Sequence, residues 1–350
     1  MMKITLAVVA RNEEACLPSL LDDIRAQTYP HEETEILLVD SGSSDRTPEL
    51  MEAFREEGGF LRIKISPNPG LTQSAGWNVA IREFLSGGAE ALVRVDAHAR
   101  IPADFIASCV EALGEGEKAE MVVGGVRTTL CRSDDAWSRT LWMAEESMFG
   151  AGISTARHDS TGDYVKSLFH ACYRRDVLAE VGGFREDLGR TEDNEFHYRI
   201  RQKGYRIFRS PKIHSQQYIR PTLDRMLRQK AGNGFWVGRT LGIVPGCISP
   251  YHLVPFVFVA ALVTSVILAF FGHPWCLQLG LALYASVAIL MTIAATFSLQ
   301  RAGERIPGTA WFLPLLFFCL HVSYGLGTLI GLCSIIQYIF NRKSRAGLGL

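Results

Sequence analysis

The chain almost loses its charged residues from about Tyr251 onward, and three long apolar runs follow. They extend over residues 251–271, 275–297 and 310–340. Each of the first two is long enough to span a hydrocarbon core about 30 Å thick, and the third is longer than one span needs. A soluble core does not explain three uncharged runs of this length. The sequence therefore predicts a membrane domain over residues 241–350, with about three transmembrane segments and an open question of whether the last one crosses completely.

Residues 1–240 have the composition of a soluble domain, in which apolar strand-like runs alternate with helix-like segments. This alternation is typical of an α/β fold with parallel strands and helices on both faces of the sheet. A G-x-G-x-x-G segment is missing, which argues against a dinucleotide dehydrogenase. We therefore expect a Rossmann-like nucleotide-binding sheet, with predicted strands at residues 4–9, 34–39, 60–65, 91–95 and 121–126. The predicted helices include residues 12–27, 73–84 and 104–113.

Charge and cysteine usage limit the compartment and the partners. The 36 Lys and Arg residues balance the 36 Asp and Glu residues, so no overall positive field favours nucleic acid as a partner. The eight cysteines are scattered, with no C-x-x-C pair, which indicates reduced thiols. The opening apolar run is too short for a signal peptide and soon meets charged residues, so we expect the first domain to stay in the cytosol.

Asp96-Ala97-His98 follows the fourth predicted strand and is the first candidate site. Side chains two residues apart on a strand point the same way, so Asp96 and His98 can converge beyond its carboxyl end. Ligands bind at that edge of open α/β sheets, and a carboxylate with an imidazole could hold a divalent cation against a diphosphate. The alternative, favoured for an isolated motif, is a solvated turn.

Polar residues also follow the first two predicted strands. Ala10-Arg11-Asn12-Glu13 follows the first, and Asp40 begins the turn after the second. Taken alone, Asp40 is better explained as a turn former or helix cap. Three polar strand ends at one edge of a parallel sheet favour a shared ligand site, where an acid can accept a hydrogen bond from a base or a ribose.

Six segments carry a recognisable pattern: residues 10–14, 39–47, 68–78, 94–98, 181–184 and 191–196. In this order and spacing they resemble glycosyltransferase family 2, whose catalytic domain has the GT-A fold. None is specific alone, but the six in order are, and the resemblance extends from about residue 3 to residue 239. The version Asp96-Ala97-His98 and the apolar tail resemble the succinoglycan-biosynthesis membrane glucosyltransferases.

The resemblance implies a UDP-sugar site along the strand ends. Ser41 stands where relatives frequently have an acid, so part of the uridine contact differs here. Gln73 and Asn78 lie on a segment that approaches the nucleotide in relatives. The implied nucleotide-sugar residues are Ala10, Asn12, Glu13, Asp40, Ser41, Gln73, Asn78 and Asp96.

The resemblance also implies a divalent metal, Mn²⁺ or Mg²⁺, at Asp96 and His98. A metal there would neutralise the charge that develops on the leaving diphosphate. Many family members have an acid in place of His98, and an imidazole favours Mn²⁺. Two roles for His98 stay open: a direct metal ligand, or a contact to the sugar or phosphate.

Thr191-Glu192-Asp193 supplies the candidate catalytic acids. Inverting transfer needs one carboxylate to accept the proton of the acceptor hydroxyl. By the family pattern Asp193 is that base, and Glu192 orients it or contacts the acceptor. The alternative is a helix start, in which Thr191 caps the helix and the acids lie at its positive end; the two interpretations are compatible.

Further candidates are His170, which could contact the sugar or be structural, and Arg127, which could contact the pyrophosphate. Polymerising relatives often have a Gln-x-x-Arg-Trp motif in this region of the sequence. Residues 229–236 of this chain, at the corresponding place, lack that motif. That departure favours the addition of a single sugar.

These expectations combine into an inverting, metal-dependent hexosyltransferase in the bacterial inner membrane, multi-pass, with a cytoplasmic catalytic domain. Basic residues before the first span agree with a cytosolic side. The expected partners are a UDP-sugar, with glucose as the expected sugar, a polyprenyl-diphosphate-linked oligosaccharide for exopolysaccharide, and membrane lipid. The alternative is a polyprenyl-phosphate glycosyltransferase of the dolichol-phosphate mannosyltransferase type. A transporter with a nucleotide-sensing domain is disfavoured, because the spans are few and hold few ionisable residues.

Overall fold

The computed structural model describes residues 1–114, 119–151 and 162–347, without the side chains of residue 151 and of residues 336–347. The chain divides into two compact units. The first comprises Met1–Thr128 and Thr155–Gln217, and the second comprises Thr129–Ser154 and Tyr218–Leu350. Residues 218–240 thus group with the apolar helices, while the predicted domain boundary at residue 240 stays a prediction.

The described residues form a nine-stranded mixed sheet, with the order β3-β2-β1-β4-β8-β6-β9-β5 and with β7 paired to β9. Strands β1 to β4 are parallel to one another, as predicted. β8 inserts antiparallel between β4 and β6, so the expectation of a wholly parallel sheet is wrong. The strands are β1 (Ile4–Ala10), β2 (Thr34–Asp40), β3 (Arg62–Pro67), β4 (Ala91–Asp96), β5 (Ala99–Arg100), β6 (Val122–Leu130), β7 (Asp163–Tyr164), β8 (Ala171–Arg174) and β9 (Phe208–Tyr218).

The helices follow most of the predicted segments. The first begins at Leu17 instead of residue 12, because Asn12 has a φ of 55°, which a right-handed helix does not allow. The helices are α1 (Leu17–Arg25), α2 (Thr47–Glu57), α3 (Gln73–Ser86), α4 (Phe105–Leu113), α5 (Ala136–Glu146), α6 (Met148–Ala151), α7 (Arg175–Val181), α8 (Glu192–Gln202), α9 (Leu223–Leu241), α10 (Val254–Phe270), α11 (Pro274–Arg301) and α12 (Leu313–Gly347).

The central strands are apolar on both faces because each face is covered by helices. Ile4, Leu6 and Val8 of β1 belong to a core that also contains buried residues of α1, α2 and α4. Ala7 belongs to a second core, with buried residues of α3, α7 and α8. Burial on both faces explains the nearly continuous apolar runs that made these strands recognisable in the sequence.

Among its described residues, the second unit contains three helices that are long and apolar enough to cross a membrane, by length and composition. They are Pro250–Phe270, Pro274–Arg301 and Ala310–Ile335. The predicted third run continues to residue 340, beyond the residues whose side chains are described. These candidate spans agree with the predicted membrane domain.

Helix α12 packs closely against α9 through glycines on both helices. A Cβ added to Gly234 of α9 would lie 2.0 Å from the carbonyl oxygen of Tyr324. One added to Gly331 of α12 would lie 2.0 Å from the carbonyl oxygen of Phe235. The two backbones therefore approach too closely for any side chain at these positions.

Candidate active site

Asp96 ends β4 and is placed between two basic side chains. Its Oδ2 lies 3.5 Å from Nε2 of His170, and its Oδ1 lies 3.8 Å from Nη2 of Arg94. Burial alone would raise the pKa of Asp96, but the His170 hydrogen bond and the charge of Arg94 hold it well below its usual range. The carboxylate is therefore ionised at neutral pH. Its contacts are long, which leaves it able to accept a cation.

His170 is buried and precedes β8. Its Nδ1 lies 2.8 Å from Oγ of Ser215, while Nε2 faces Asp96. Burial lowers the pKa of His170, although Asp96 opposes this effect, so the ring is neutral. A neutral ring that accepts from the Ser215 hydroxyl carries its proton on Nε2 and directs it at Asp96. His170 thus contacts the predicted metal-binding acid.

Arg94 occupies the position two residues before Asp96 on β4 and is only 4 % exposed. Its Cζ lies 4.7 Å from the ring centroid of Trp77 and 5.3 Å from that of Phe184. Nε and Nη1 of Arg94 have no hydrogen-bond partner among the described residues. Burial would lower the pKa of Arg94, but nearby acids, Asp96 first, raise it, so the side chain remains a cation held between two aromatic rings.

Glu192 and Asp193 begin α8, the helix whose start the sequence predicted. Glu192 is buried at 4 % exposure, and its Oε2 has no partner among the described residues. Burial, with the neighbouring charge of Asp193, raises the pKa of Glu192 to about 7 despite Arg94. Burial also raises the pKa of Asp193, against the attraction of Arg94.

Asp193 retains partial exposure, unlike Glu192, and its Oδ1 accepts a hydrogen bond of 2.7 Å from the backbone N–H of Asn194. Thr191 is the N-cap residue of α8, although its side chain makes no capping hydrogen bond to the helix, and Glu192 and Asp193 lie in the first turn. The acids therefore lie at the positive end of the helix, as in the helix-start alternative. Two carboxyl groups of raised pKa at a helix start can accept a proton from a hydroxyl group.

A buried, neutral histidine follows this pair on α8. His197 lies one turn further along α8, with Nδ1 2.9 Å from Oγ of Ser167 and Nε2 2.9 Å from the hydroxyl of Tyr173. Burial lowers the pKa of His197 to about 3, and Arg94 contributes to the same shift. This histidine is therefore a neutral structural element.

His98 lies in the turn between β4 and β5, with both ring nitrogens engaged. Nδ1 lies 3.2 Å from Oε1 of Glu13, and Nε2 faces Nε2 of Gln217. The described residues contain no group of three or more His, Cys, Asp or Glu side chains that could hold a metal ion. A metal at this edge would therefore complete its coordination with water or with substrate oxygens, in addition to Asp96 and His98.

The loop after β1 is fixed by the loop after β2. Oδ1 of Asn12 accepts a 2.8 Å hydrogen bond from the backbone of Ser44, and the backbone of Asn12 donates to Oγ of Ser43 at 3.0 Å. The backbone N–H of Glu13 donates to Oγ1 of Thr47 at 2.8 Å. Two of the predicted strand-end segments are therefore adjacent in space.

The remaining β1 and β2 candidates lie in the same place. Asp40 accepts from the backbone N–H groups of Gly42 and Ser43, each at 3.2 Å, as in a turn. Ser41 is buried, and its Oγ accepts a 2.9 Å hydrogen bond from Nδ2 of Asn68. The carbonyl of Ala10 accepts from the backbone of Ser41 at 2.9 Å. Their predicted contacts with uridine stay predictions.

The two candidates on α3 have different surroundings. Gln73 is exposed, and its Nε2 lies 3.5 Å from Oδ1 of Asp96, which places it beside the predicted metal site. Asn78 instead bonds the backbone of Phe184 in both directions, at 2.6 and 2.9 Å, and donates to Glu186 at 2.7 Å. In this structure the amide of Asn78 holds the segment after α7, and its predicted nucleotide contact stays untested.

Sequence reasoning did not identify Arg94 or Gln217 as site residues. The available signal for Arg94 was a cation inside an otherwise apolar strand, two residues before Asp96. Gln217 offered no local signal, because its position beside His98 arises from the pairing of β9 with β5, in which Ala99 is opposite Gln217.

Known proteins share sequence and fold with this chain. The model of the family described as glycosyl transferase family 2 matches residues 5–182. The succinoglycan biosynthesis protein ExoA of Rhizobium meliloti (strain 1021) is 30% identical over 230 residues, which cover 65% of this chain and 67% of that protein.

A second relative matches nearly the whole chain. It is the dolichyl N-acetyl-alpha-D-glucosaminyl phosphate 3-beta-D-2,3-diacetamido-2,3-dideoxy-beta-D-glucuronosyltransferase of Methanococcus voltae, 24% identical over 326 residues, or 92% of this chain and 95% of that one. Among solved structures, the mannosyltransferase PcManGT from Pyrobaculum calidifontis, in complex with GDP-Man and Mn²⁺, superposes with a TM-score of 0.56 at 19% identity. The match covers 92% of this chain and 86% of that one, and it confirms the predicted GT-A fold.

Proposed function

The chain belongs to glycosyltransferase family 2, and on that premise we propose that it transfers a hexose, with inversion, from a UDP-sugar to a lipid-linked saccharide. The observation that carries the proposal is the environment of Arg94. One buried cation stabilises an ionised acid, Asp96, and lowers the pKa of two acids that burial raises, Glu192 and Asp193. Such a site serves both a departing diphosphate and an attacking hydroxyl.

Asp193 is the proposed base because it is the more exposed of the two acids and can reach an acceptor. It removes the hydroxyl proton as the acceptor oxygen bonds to the anomeric carbon. The bond from that carbon to the UDP oxygen breaks at the same time, and UDP leaves. Glu192, with a pKa of about 7, shares protons with its neighbour and keeps the pair from carrying two full charges near neutral pH.

The residues present fit a divalent cation at Asp96. This carboxylate is ionised and makes only long contacts, and His98 has a carboxylate on Nδ1, the arrangement often found behind a metal-binding histidine. Asp96 and His98 would hold Mn²⁺ or Mg²⁺, with diphosphate oxygens as the remaining ligands. A bound ion would supply positive charge to the departing UDP.

The acceptor and the donor are inferred from chemistry and relatives. The Methanococcus voltae relative is named for a saccharide carried on a dolichyl phosphate, and ExoA for succinoglycan biosynthesis. We therefore favour UDP-glucose as the donor and a polyprenyl-diphosphate-linked oligosaccharide as the acceptor. The candidate spans would anchor the enzyme in the bacterial inner membrane as a multi-pass protein with its catalytic unit in the cytoplasm, where such acceptors can be reached.

The test is a panel of UDP-sugars offered to the full chain in lipid nanodiscs, with and without lipid-linked acceptors. UDP release that requires a lipid-linked oligosaccharide, and that Asp193→Asn abolishes, is the expected result. A single sugar on polyprenyl phosphate as the product would instead establish the alternative function. Transfer that is unchanged in Asp193→Asn would refute the assigned base.

A further inference from the structure

The surroundings of His98 determine which of its nitrogens carries the proton. Arg127 of β6 donates through Nη1 to Oε1 of Gln217, since a guanidinium can only donate. The amide oxygen of Gln217 is thereby engaged, and its NH₂ group is the part that faces Nε2 of His98. Nε2 must then accept, so the neutral ring carries its proton on Nδ1 and donates it to Glu13.

Two further contacts hold Gln217 and Arg127 in place. Ala99 of β5 is paired with Gln217 of β9, which brings the Gln217 side chain next to His98. The Cζ of Arg127 lies 3.8 Å from the ring centroid of Phe169, and this stacking orients the guanidinium. The amide of Gln217 is thus held in one orientation over the lone pair of His98.

That lone pair is the one a cation would need. With a carboxylate on Nδ1, the ring is prepared to bind a metal through Nε2, yet the Gln217 amide occupies that direction. We propose that Gln217, oriented by Arg127, is a positioning residue that covers Nε2 of His98 and must move away when a divalent cation binds. The inference rests on the metal site of the proposed function.

Removing the cover should strengthen cation binding. Gln217→Leu keeps the approximate size of the side chain but cannot bond to His98. We expect the dissociation constant for Mn²⁺ alone to fall about five-fold, the equivalent of one ordinary hydrogen bond that no longer competes. Gln217→Asn, whose amide is one methylene short of the ring, should give a gain in the same direction.

The measurement is a Mn²⁺ titration of the full chain in lipid nanodiscs without nucleotide, with free Mn²⁺ read from its electron paramagnetic resonance signal. Gln216→Leu is the matched control, because Gln216 is the neighbour on β9 and is exposed. It should leave the affinity unchanged. In a His98→Ala background, Gln217→Leu should give no gain, because the effect acts through His98.

The outcomes separate this inference from the proposed function. If Mn²⁺ binding by the wild type depends on Asp96 but neither Gln217 variant binds more tightly, the proposed role of Gln217 is refuted and the transferase proposal stands. A gain in affinity that persists without His98 also refutes that role. If the wild-type chain does not bind Mn²⁺, both the role of Gln217 and the metal site are refuted, whereas UDP-sugar transfer is assayed separately.

Discussion

Glu192→Gln should stabilise the protein above neutral pH, although it removes a carboxylate beside the active site. Glu192 is buried, and its pKa is raised from 4.5 to about 7 by burial first and then by the charge of Asp193. Below the unfolded pKa both states hold the proton. Between pH 4.5 and about 7 only the unfolded chain releases it, so stability falls as the pH rises.

The magnitude follows from the size of that window. A shift of about 2.5 pKa units, at about 1.4 kcal/mol each, costs the folded state about 3 kcal/mol once Glu192 is ionised in both states. Glutamine carries no charge at any pH and avoids the cost. The variant should exceed the wild type by up to about 3 kcal/mol at about pH 8, and by less than about 1 kcal/mol at about pH 5.

Urea unfolding of the full chain in lipid nanodiscs, at both pH values, measures the difference through the shift in midpoint at constant m-value. Glu195→Gln is the matched control on the same helix. Glu195 is equally buried but pairs with Arg199 at 2.8 Å, so its loss should destabilise the protein at pH 8. The reasoning is refuted if Glu192→Gln is neutral or destabilising at pH 8, because Arg94 would then outweigh the effect of burial.

Three further predictions concern the proposed base, the proposed metal site and the packing of α9 with α12. Asp193→Asn should lower kcat by about 10²- to 10⁴-fold, the usual contribution of a general base, while the Kd for UDP measured by calorimetry changes by only a few-fold; a large change in UDP affinity would contradict the role. Asp96→Asn should abolish the dependence of UDP binding on Mn²⁺, since the ionised ligand is gone; a titration that still responds to Mn²⁺ would remove Asp96 from the metal site. Gly331→Ala should destabilise the protein by about 1–3 kcal/mol in thermal unfolding, because its Cβ would meet the backbone of α9. Gly280→Ala on α11, where an added Cβ meets no atom within 4 Å, should be neutral or slightly stabilising and serves as its control.

The strand ends could be predicted because they depend on local pattern. The apolar runs gave β1, β2 and β4 to within a residue or two, and a parallel sheet puts their carboxyl ends at one edge. The proximity of the segments that contain Asn12 and Asp40 follows from that placement. The start of α1 was missed because the left-handed backbone of Asn12 depends on its bonds to a distant loop.

The side chains that contact Asp96 and His98 could not be predicted, because these contacts arise from antiparallel strand pairings that local sequence does not encode. β8 runs antiparallel to β4, with Val93 opposite Cys172, and this register brings His170 to Asp96. In the same way, the pairing of β5 with β9 delivers Gln217 to His98. The residue types were visible in the sequence, but the pairing that joins them was not.

Arg94 is a charged residue inside an otherwise apolar strand, and its burial has to be compensated. A guanidinium in the middle of an apolar strand is too costly to bury unless several acids compensate it, and one carboxylate at 3.8 Å is a weak compensation. Arg94 therefore requires further acids near β4, and Glu192 and Asp193 of α8 supply them. Both of these residues do raise the pKa of Arg94 in the folded protein. The buried cation thus makes Asp96 and the Glu192–Asp193 pair electrostatically dependent on one another, so that a change of charge at one alters the other.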